Sequence, residues 1–389
     1  MGSIPNVYPQ IPYFGAGPCA KPPGWESSHL KNAFTARSHR SEQGIERIQE
    51  ILTLLRSVLE IPKNYKIALI SGSATAAVET CLWNLLGKKS VQVHVWDIFG
   101  QRWANDIKNS LKLKNANLIG LNSKNLPQLE KTDFEQDVVF TINASTSGIL
   151  PLDNSWINNT PQGLVICDAT SSAFAVPLPW NKLDATAFSF QKGLGGEAGL
   201  GVIVLSPKAI EHIENHIPAW PIPYLLRLTT ETREINNKLF EGFLLNTPSM
   251  LLIEDTLYAL KWAKAIGGQK VLHQRTIKNY KVIKEWIKTI CWSQFLVHSE
   301  EFRSPTTVCL EFIEPWFKEL TREHQWQVIR QFCALLAKYN AAFDIQNHIL
   351  GEPSLRIWSG PTIETTDLNK LMPWLEWAYD KIKNEKAFK

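Results

Sequence analysis

Short apolar runs at residues 67–70, 91–95, 138–142, 164–167, 185–190 and 202–205 alternate with stretches of helical periodicity. A strand buried on both faces reads as a continuous apolar run. Alternation of such runs with helices points to a mostly parallel sheet covered by helices, an α/β architecture. Beyond residue 205 the pattern changes. A helix over 250–266, with Ile253, Leu257 and Leu260 on one face, stops at Gly267-Gly268. Long helices at 271–290 and 367–383 then mix with strands at 307–312 and 355–358. This reads as a large unit over 17–266 and a smaller α+β unit over 267–389, with segment 1–16 packing on the latter. Pro373 should kink or split the last helix. The 44% hydrophobic content of 389 residues suffices for a large core.

Chemistry concentrates at two strand ends. The run Asp184-Ala185-Thr186-Ala187-Phe188-Ser189-Phe190 leads into Gln191-Lys192-Gly193-Leu194-Gly195-Gly196. The end of a buried strand is a rigid platform, so Lys192 is a candidate Schiff-base lysine whose amine attacks an aldehyde. Upstream, Gly163-Leu164-Val165-Ile166-Cys167 ends in Asp168, at the carboxyl end where α/β sheets bind ligands. A pyridoxal phosphate site needs such a lysine, and an acid that keeps the pyridine nitrogen protonated. The 24 residues between Asp168 and Lys192 leave room for one connection and a neighbouring strand. Taken singly, Asp168 is equally a turn cap and Lys192 a loop residue. A third element is Ser71-Gly72-Ser73-Ala74-Thr75-Ala76-Ala77-Val78-Glu79, small residues opening a helix after the strand at 66–70. Free amides at a helix start bind phosphate, although Ser-Gly-Ser is also ordinary N-cap chemistry.

Other features exclude function classes. The glycine-rich stretch 193–201 leads into a strand rather than a helix, the wrong order for a dinucleotide fingerprint. Cys19, Cys81, Cys167, Cys291, Cys309 and Cys333 show no paired spacing, which argues against a zinc knuckle and a disulfide framework. His212 and His216 have helical i, i+4 spacing but lack the glutamate of a zincin. The formal charge of +4 has no basic stripe, so neither nucleic acid nor an anionic membrane is expected as a partner. With no targeting pattern near Ile4 and no membrane-length apolar segment, the expected location is the cytoplasm.

Several short motifs carry a resemblance spanning nearly the whole chain. In order they are Gly17-Pro18-Cys19-Ala20, Ser38-His39-Arg40-Ser41, the turn at 71–79, Asn143-Ala144-Ser145-Thr146-Ser147-Gly148, Cys167-Asp168-Ala169-Thr170-Ser171, Gln191-Lys192, Asn246-Thr247-Pro248-Ser249 and Leu355-Arg356-Ile357-Trp358. With this order and spacing the sequence resembles the phosphoserine aminotransferase family, among fold type I pyridoxal phosphate enzymes, in the branch carrying Gly-Pro-Cys-Ala and Ser-His-Arg-Ser. The resemblance implies a large domain with a mostly parallel seven-stranded sheet and a smaller C-terminal α+β domain. It also implies that Lys192 holds the cofactor covalently and that Asp168 pairs with its ring nitrogen. Ser73, Ala74 and Gln191 would hold the phosphate, Trp103 would stack on the ring and Ser145 would contact the ring oxygen. Asn246 and Thr247 would reach the cofactor phosphate of a neighbouring subunit, making a homodimer with shared sites.

For substrates, the resemblance implies that Arg356 grips the α-carboxylate through a two-pronged guanidinium contact. His39 and Arg40 would receive the distal anion. The implied reaction passes an amino group between L-glutamate and 3-phosphohydroxypyruvate in ping-pong fashion, with 2-oxoglutarate and phosphoserine as products. Three departures stand out. Ala74 occupies a position often more polar, and Ser145 one where threonine is usual. No arginine lies in 348–354, where the family commonly offers a basic residue for the substrate phosphate, and His348 is the only cationic candidate there. That gap leaves room for an alternative, a related transaminase or lyase acting on unphosphorylated serine or alanine.

Overall fold

A computed structural model of the chain describes residues 3–120 and 128–386; 121–127 of the larger expected unit, 387–389 of the smaller and 1–2 of the segment packing on it lie outside these. Strands β1 (Lys66–Ser71), β2 (Val91–His94), β3 (Ala116–Ile119), β4 (Asp137–Thr141), β5 (Val165–Asp168), β6 (Ala185–Ser189) and β7 (Leu200–Leu205) form one seven-stranded sheet, in the order β1-β7-β6-β5-β4-β2-β3. The pairs β2·β3, β2·β4, β4·β5 and β5·β6 are parallel, and only β7 runs against its neighbours β1 and β6. The reversal follows from chain length. Parallel neighbours need a crossover of a dozen residues or more, whereas β6 reaches β7 through the glycine-rich loop alone. Every residue of β4, β5, β6 and β7 is buried, which is why these strands read as unbroken apolar runs. Strand β3 has only Ile119 fully buried, so its sequence carries no such run.

The helices are α1 (Glu42–Val58), α2 (Ser73–Leu85), α3 (Ile98–Asn105), α4 (Pro207–Asn215), α5 (Met250–Ala265), α6 (Gly268–Ile287), α7 (Pro315–Lys318), α8 (Arg322–Lys338) and α9 (Thr365–Lys386). Helix α1 is capped by the Ser41 hydroxyl, which accepts from the Gly44 amide. It buries Ile48, Ile51, Leu55 and Val58 on the face that meets α5. Gly267 ends the α5 segment at φ +116, a conformation that favours glycine. None of the helices among the described residues is long and apolar enough to cross a membrane.

A second sheet, β10-β9-β8, is antiparallel and built from β8 (Ser293–Phe295), β9 (Thr307–Phe312) and β10 (Leu355–Trp358). Its core is aromatic, with Trp292 stacked on Tyr379 at a centroid distance of 4.2 Å and Phe312 edge-on to both rings. Pro373 does not split the last helix, because α9 continues through it. An interior proline costs about 3 kcal/mol. Burial of Leu371, Trp374, Leu375 and Tyr379, at roughly 1.5–3 kcal/mol for each large side chain, outweighs that cost. The Trp374 indole also donates to the Val7 carbonyl at 2.8 Å.

The segment before the first helix is a strap along the smaller sheet. The Gln10 and Ile11 amides donate to the Asp367 carboxylate at 2.8 and 3.1 Å, and the Phe14 carbonyl accepts from the Trp358 amide. Phe14 and Ala16 belong to the core of that sheet, while the Cys19 amide already bonds to the Gln191 carbonyl beyond β6. Helix α6 also bridges the two units, with Leu272 in the larger core and Ile283 and Trp286 in the smaller. The strap thus reaches the end of β6.

Candidate active site

Asp168 is the last residue of β5, in register with Thr141 of β4 and Ala187 of β6, and Lys192 follows β6 by three residues. Sheet order therefore brings the two strand-end residues together as neighbours. Lys192 is buried, and its Nζ donates to the Ala16 carbonyl of the strap. Burial pushes its pKa down and the nearby Arg356 charge adds to this, while Cys19, Asp168 and Asp97 act the other way. An amine so placed gives up its proton more readily than a solvated lysine. Gly17 makes the placement possible: a Cβ there would lie 2.6 Å from Nζ. Asp168 is also buried, which pushes its pKa up. Three donors counter this, the Thr170 amide at 3.0 Å and hydroxyl at 2.6 Å on Oδ1 and the Trp103 indole N–H at 3.0 Å on Oδ2.

The turn between β1 and α2 faces the same end of the sheet. Gly72, at φ +109, and Ser73, at φ +60, give both their amides to the Gly199 carbonyl, and the Ser73 hydroxyl donates to Gln191 Oε1 at 3.2 Å. The next two amides, of Ala74 and Thr75, are at the helix start and have no partner among the described residues. This is the arrangement that receives an anion. Gly201 lets β7 approach closely, since a Cβ there would collide with the Ser73 carbonyl. Ser145 is buried on the turn after β4, whose Ala144 pairs with Ile149 and whose Gly148 sits at φ +76.

Arg356 reaches the site from the other sheet. It stands on β10 opposite Cys309 of β9, its buried Nε has no partner, and burial pushes its pKa down. Its charge, with that of Lys192, acts on the Cys19 thiol, which burial nevertheless pushes up to about 12. The residues present suit pyridoxal phosphate: a buried amine with room at Gly17, an acid held by three donors one strand away, open helix-start amides and an unsatisfied guanidinium.

No family model matches the sequence. The chain is 42% identical over 379 residues to the phosphoserine aminotransferase of Methanosarcina mazei, with 97% of this chain and all of that protein covered. The chain belongs to the phosphoserine aminotransferase family. The fold of this aminotransferase is also that of the phosphoserine aminotransferase of Cytophaga hutchinsonii, at a TM-score of 0.78 and 21% identity over 94% of this chain and 98% of that one. It is likewise similar to pyridoxamine-pyruvate aminotransferase of Mesorhizobium loti, with a TM-score of 0.79 and 17% identity over 98% and 95%.

In this aminotransferase four expected residues make no hydrogen bond with the lysine among the described residues. His39 is buried with Nε2 unpartnered, and Arg40, Asn246 and Thr247 are exposed. Among the described residues, no hydrogen bond or ion pair joins any of the four to Lys192, Asp168 or Arg356. Trp103, expected over the ring, is packed in the large core with its N–H on Asp168. His348 is half-buried, and burial, Arg356 and Arg102 all push its pKa down. Arg102 is thus a second cation near that approach, overlooked in sequence because helix α3 is remote from residue 348. Also overlooked were Thr170, whose Asp-x-Thr turn is a readable signal, and Asp97. The latter caps α3 through the Gly100 amide at 2.8 Å, and burial pushes it up to about 6.

Proposed function

We propose that this aminotransferase moves an amino group between L-glutamate and 3-phosphohydroxypyruvate, in serine biosynthesis, using pyridoxal phosphate. The observation that carries this reading is the adjacency of Lys192 and Asp168 at neighbouring strand ends, with Arg356 facing them from the second sheet. When bound, the cofactor supplies an aldehyde that an amine can hold and a protonated ring that withdraws electrons from the substrate's α-carbon. Lys192 would hold it covalently, and its neutral Nζ would take the proton from the substrate's α-carbon and deliver it to the carbon that carries the cofactor's aldehyde. Asp168, whose carboxylate accepts from Thr170 and Trp103, would pair with the ring nitrogen. The Ala74 and Thr75 amides, Ser73 and Gln191 hold the cofactor phosphate, and Ser145 contacts the ring oxygen. Arg356 fixes the α-carboxylate of both substrates, and His39 and Arg40 take the distal anion, phosphate or carboxylate.

The exposed positions of Arg40, Asn246 and Thr247 support a homodimer in which each subunit completes its neighbour's site. The division into 17–266 and 267–389, with the strap on the smaller unit, and a cytoplasmic location belong to the same reading. The substrate test is the absorption spectrum of the cofactor-loaded protein during separate additions of phosphoserine, glutamate, serine and alanine. Phosphoserine and glutamate should each shift the cofactor band. A shift with serine or alanine alone would overturn the phosphorylated substrate and keep the aminotransferase. The dimer is tested by mixing Lys192→Ala with Arg40→Ala protein. Sharing in trans gives hybrid dimers with one intact site, about a quarter of wild-type activity after free exchange, and a mixture that stays inactive counts against it.

A further inference from the structure

We propose that Asp255 of α5 is a positioning residue for Lys192: its buried carboxylate ties the loop that follows the lysine to the strap that receives the lysine's amine. The inference rests on the reading above in which Lys192 holds the cofactor. Asp255 is 1% exposed, on a helix whose Ile253 and Leu257 fill the large core, a setting where an apolar side chain would be at home. Lys21 Nζ donates to its Oδ1 at 2.9 Å and to its Oδ2 at 3.0 Å, and the Glu197 amide donates to Oδ2 at 2.8 Å. Lys21 also pairs with the Glu197 carboxylate at 2.8 Å. One carboxylate thus joins three segments that are remote in sequence. They are in close contact there, since a Cβ on Gly195 would lie 2.3 Å from the Ala20 carbonyl.

Both tied segments lead back to the lysine. In the loop, the Gly195 amide bonds to the Lys192 carbonyl and the Gly196 amide to the Phe190 carbonyl. Those bonds make the turn a compact unit, and its far end is the Glu197 amide held by Asp255. On the strap, the Ala16 carbonyl accepts from Lys192 Nζ and the Cys19 amide bonds to the Gln191 carbonyl, with Lys21 two residues further on. The amine therefore sits between two segments whose outer ends Asp255 bridges. A buried ion pair is a poor source of stability, because desolvating both charges offsets their attraction and apolar residues of similar volume often do as well. What it supplies here is direction: fixed donors on a fixed acceptor set where the loop and the strap stand relative to each other, and with them the lysine side chain.

Position and stability separate in the double variant Lys21→Met with Asp255→Leu, which removes the bonds and leaves neither partner of the pair charged. Its melting curve should stay close to that of the wild type, while kcat falls about 10- to 100-fold with KM changed less than about threefold. A second readout needs no turnover. In hydrogen exchange of the cofactor-free protein, followed by mass spectrometry, segments 16–21 and 191–197 should exchange about tenfold faster or more. Asp255→Asn keeps an acceptor for the Glu197 amide and loses the charge that holds Lys21, so it should loosen 16–21 and spare 191–197. A folded double variant with wild-type kcat, or with unchanged exchange in both segments, overturns the proposal. So does a kcat that falls only in proportion to the protein left folded, since the pair would then serve stability alone. Should the double variant not fold, Asp255→Asn carries the test, and unchanged exchange of 16–21 in it refutes the tie. Wild-type protein that captures no aldehyde cofactor at Lys192, with the exchange changes as expected, would instead overturn the cofactor reading itself.

Discussion

Replacing Arg356 with lysine keeps the charge and removes the fork, which makes it the sharpest test of substrate orientation. No side-chain hydrogen bond or ion pair of Arg356 occurs among the described residues, and its Nε is buried without a partner. A guanidinium serving an internal salt bridge would not be left in that state, since an uncompensated buried charge costs several kcal/mol. On the proposed reading a carboxylate ligand meets these donors. Arginine presents two parallel N–H groups to such a group, lysine one point charge, so the change forfeits one charge-assisted bond, about 1.5–3 kcal/mol. That corresponds to a loss of about 10- to 150-fold in kcat/KM. Glutamate and phosphoserine both carry an α-carboxylate, so both half-reactions should fall by the same factor. Single-turnover spectra with each substrate measure this, and melting curves check that the fold is kept. A loss below about threefold, or one confined to a single substrate, refutes the assignment.

Two further outcomes follow from the lysine. Gly17→Ala puts a Cβ 2.6 Å from Nζ and 3.1 Å from Cε, so the amine must move while the flexible side chain absorbs the clash. Misplacement on this scale should lower kcat about 10- to 100-fold; Gly17 also sits at φ +156, which strains alanine, so the melting temperature falls as well, and unchanged turnover contradicts the placement of Nζ. The Lys192 pKa lies below its ordinary 10.5 because burial disfavours the charged form. Between the folded value and 10.5 the unfolded chain binds more protons, so this group makes stability rise with pH across that window and lose the gain as pH falls through the folded pKa. Lys192→Met should flatten that slope in urea titrations of cofactor-free protein between pH 7 and 10, and a slope identical to wild type counts against a buried amine.

Legibility from sequence tracked burial. Strands β4, β5, β6 and β7 are buried at every position, so their residues had to be apolar and the runs stood out. The short spacing from Asp168 to Lys192 allowed only one intervening connection, which made their adjacency readable. Strand β3 alternates partly exposed residues at the sheet edge and left no such run. The strap was expected on the smaller unit, but its individual contacts were not legible: Pro12 and Phe14 are held through backbone carbonyls and Ala16 through its carbonyl on Lys192, which impose no periodicity. Trp103 shows the limit most clearly. Nothing in the sequence signals that its N–H meets Asp168, because that contact depends on where α3 begins, set by the Asp97 cap.

The unmet groups share one logic. Among the described residues Lys192 has a single backbone acceptor, Arg356 has an orphaned Nε, and the Ala74 and Thr75 amides have no partner. In a site serving only the fold, each would be a defect costing about 1–3 kcal/mol, and substitution toward apolar residues would relieve it. On the proposed reading these groups are matched instead to an aldehyde, a carboxylate and a phosphate. A phosphorylated cofactor bearing the aldehyde, together with an amino acid, carries all three. The instability of the empty site is therefore offset only on binding, which stabilises the folded state in proportion to occupancy and affinity. Substitutions that improve the free protein at Lys192 or Arg356 are the ones that remove its chemistry.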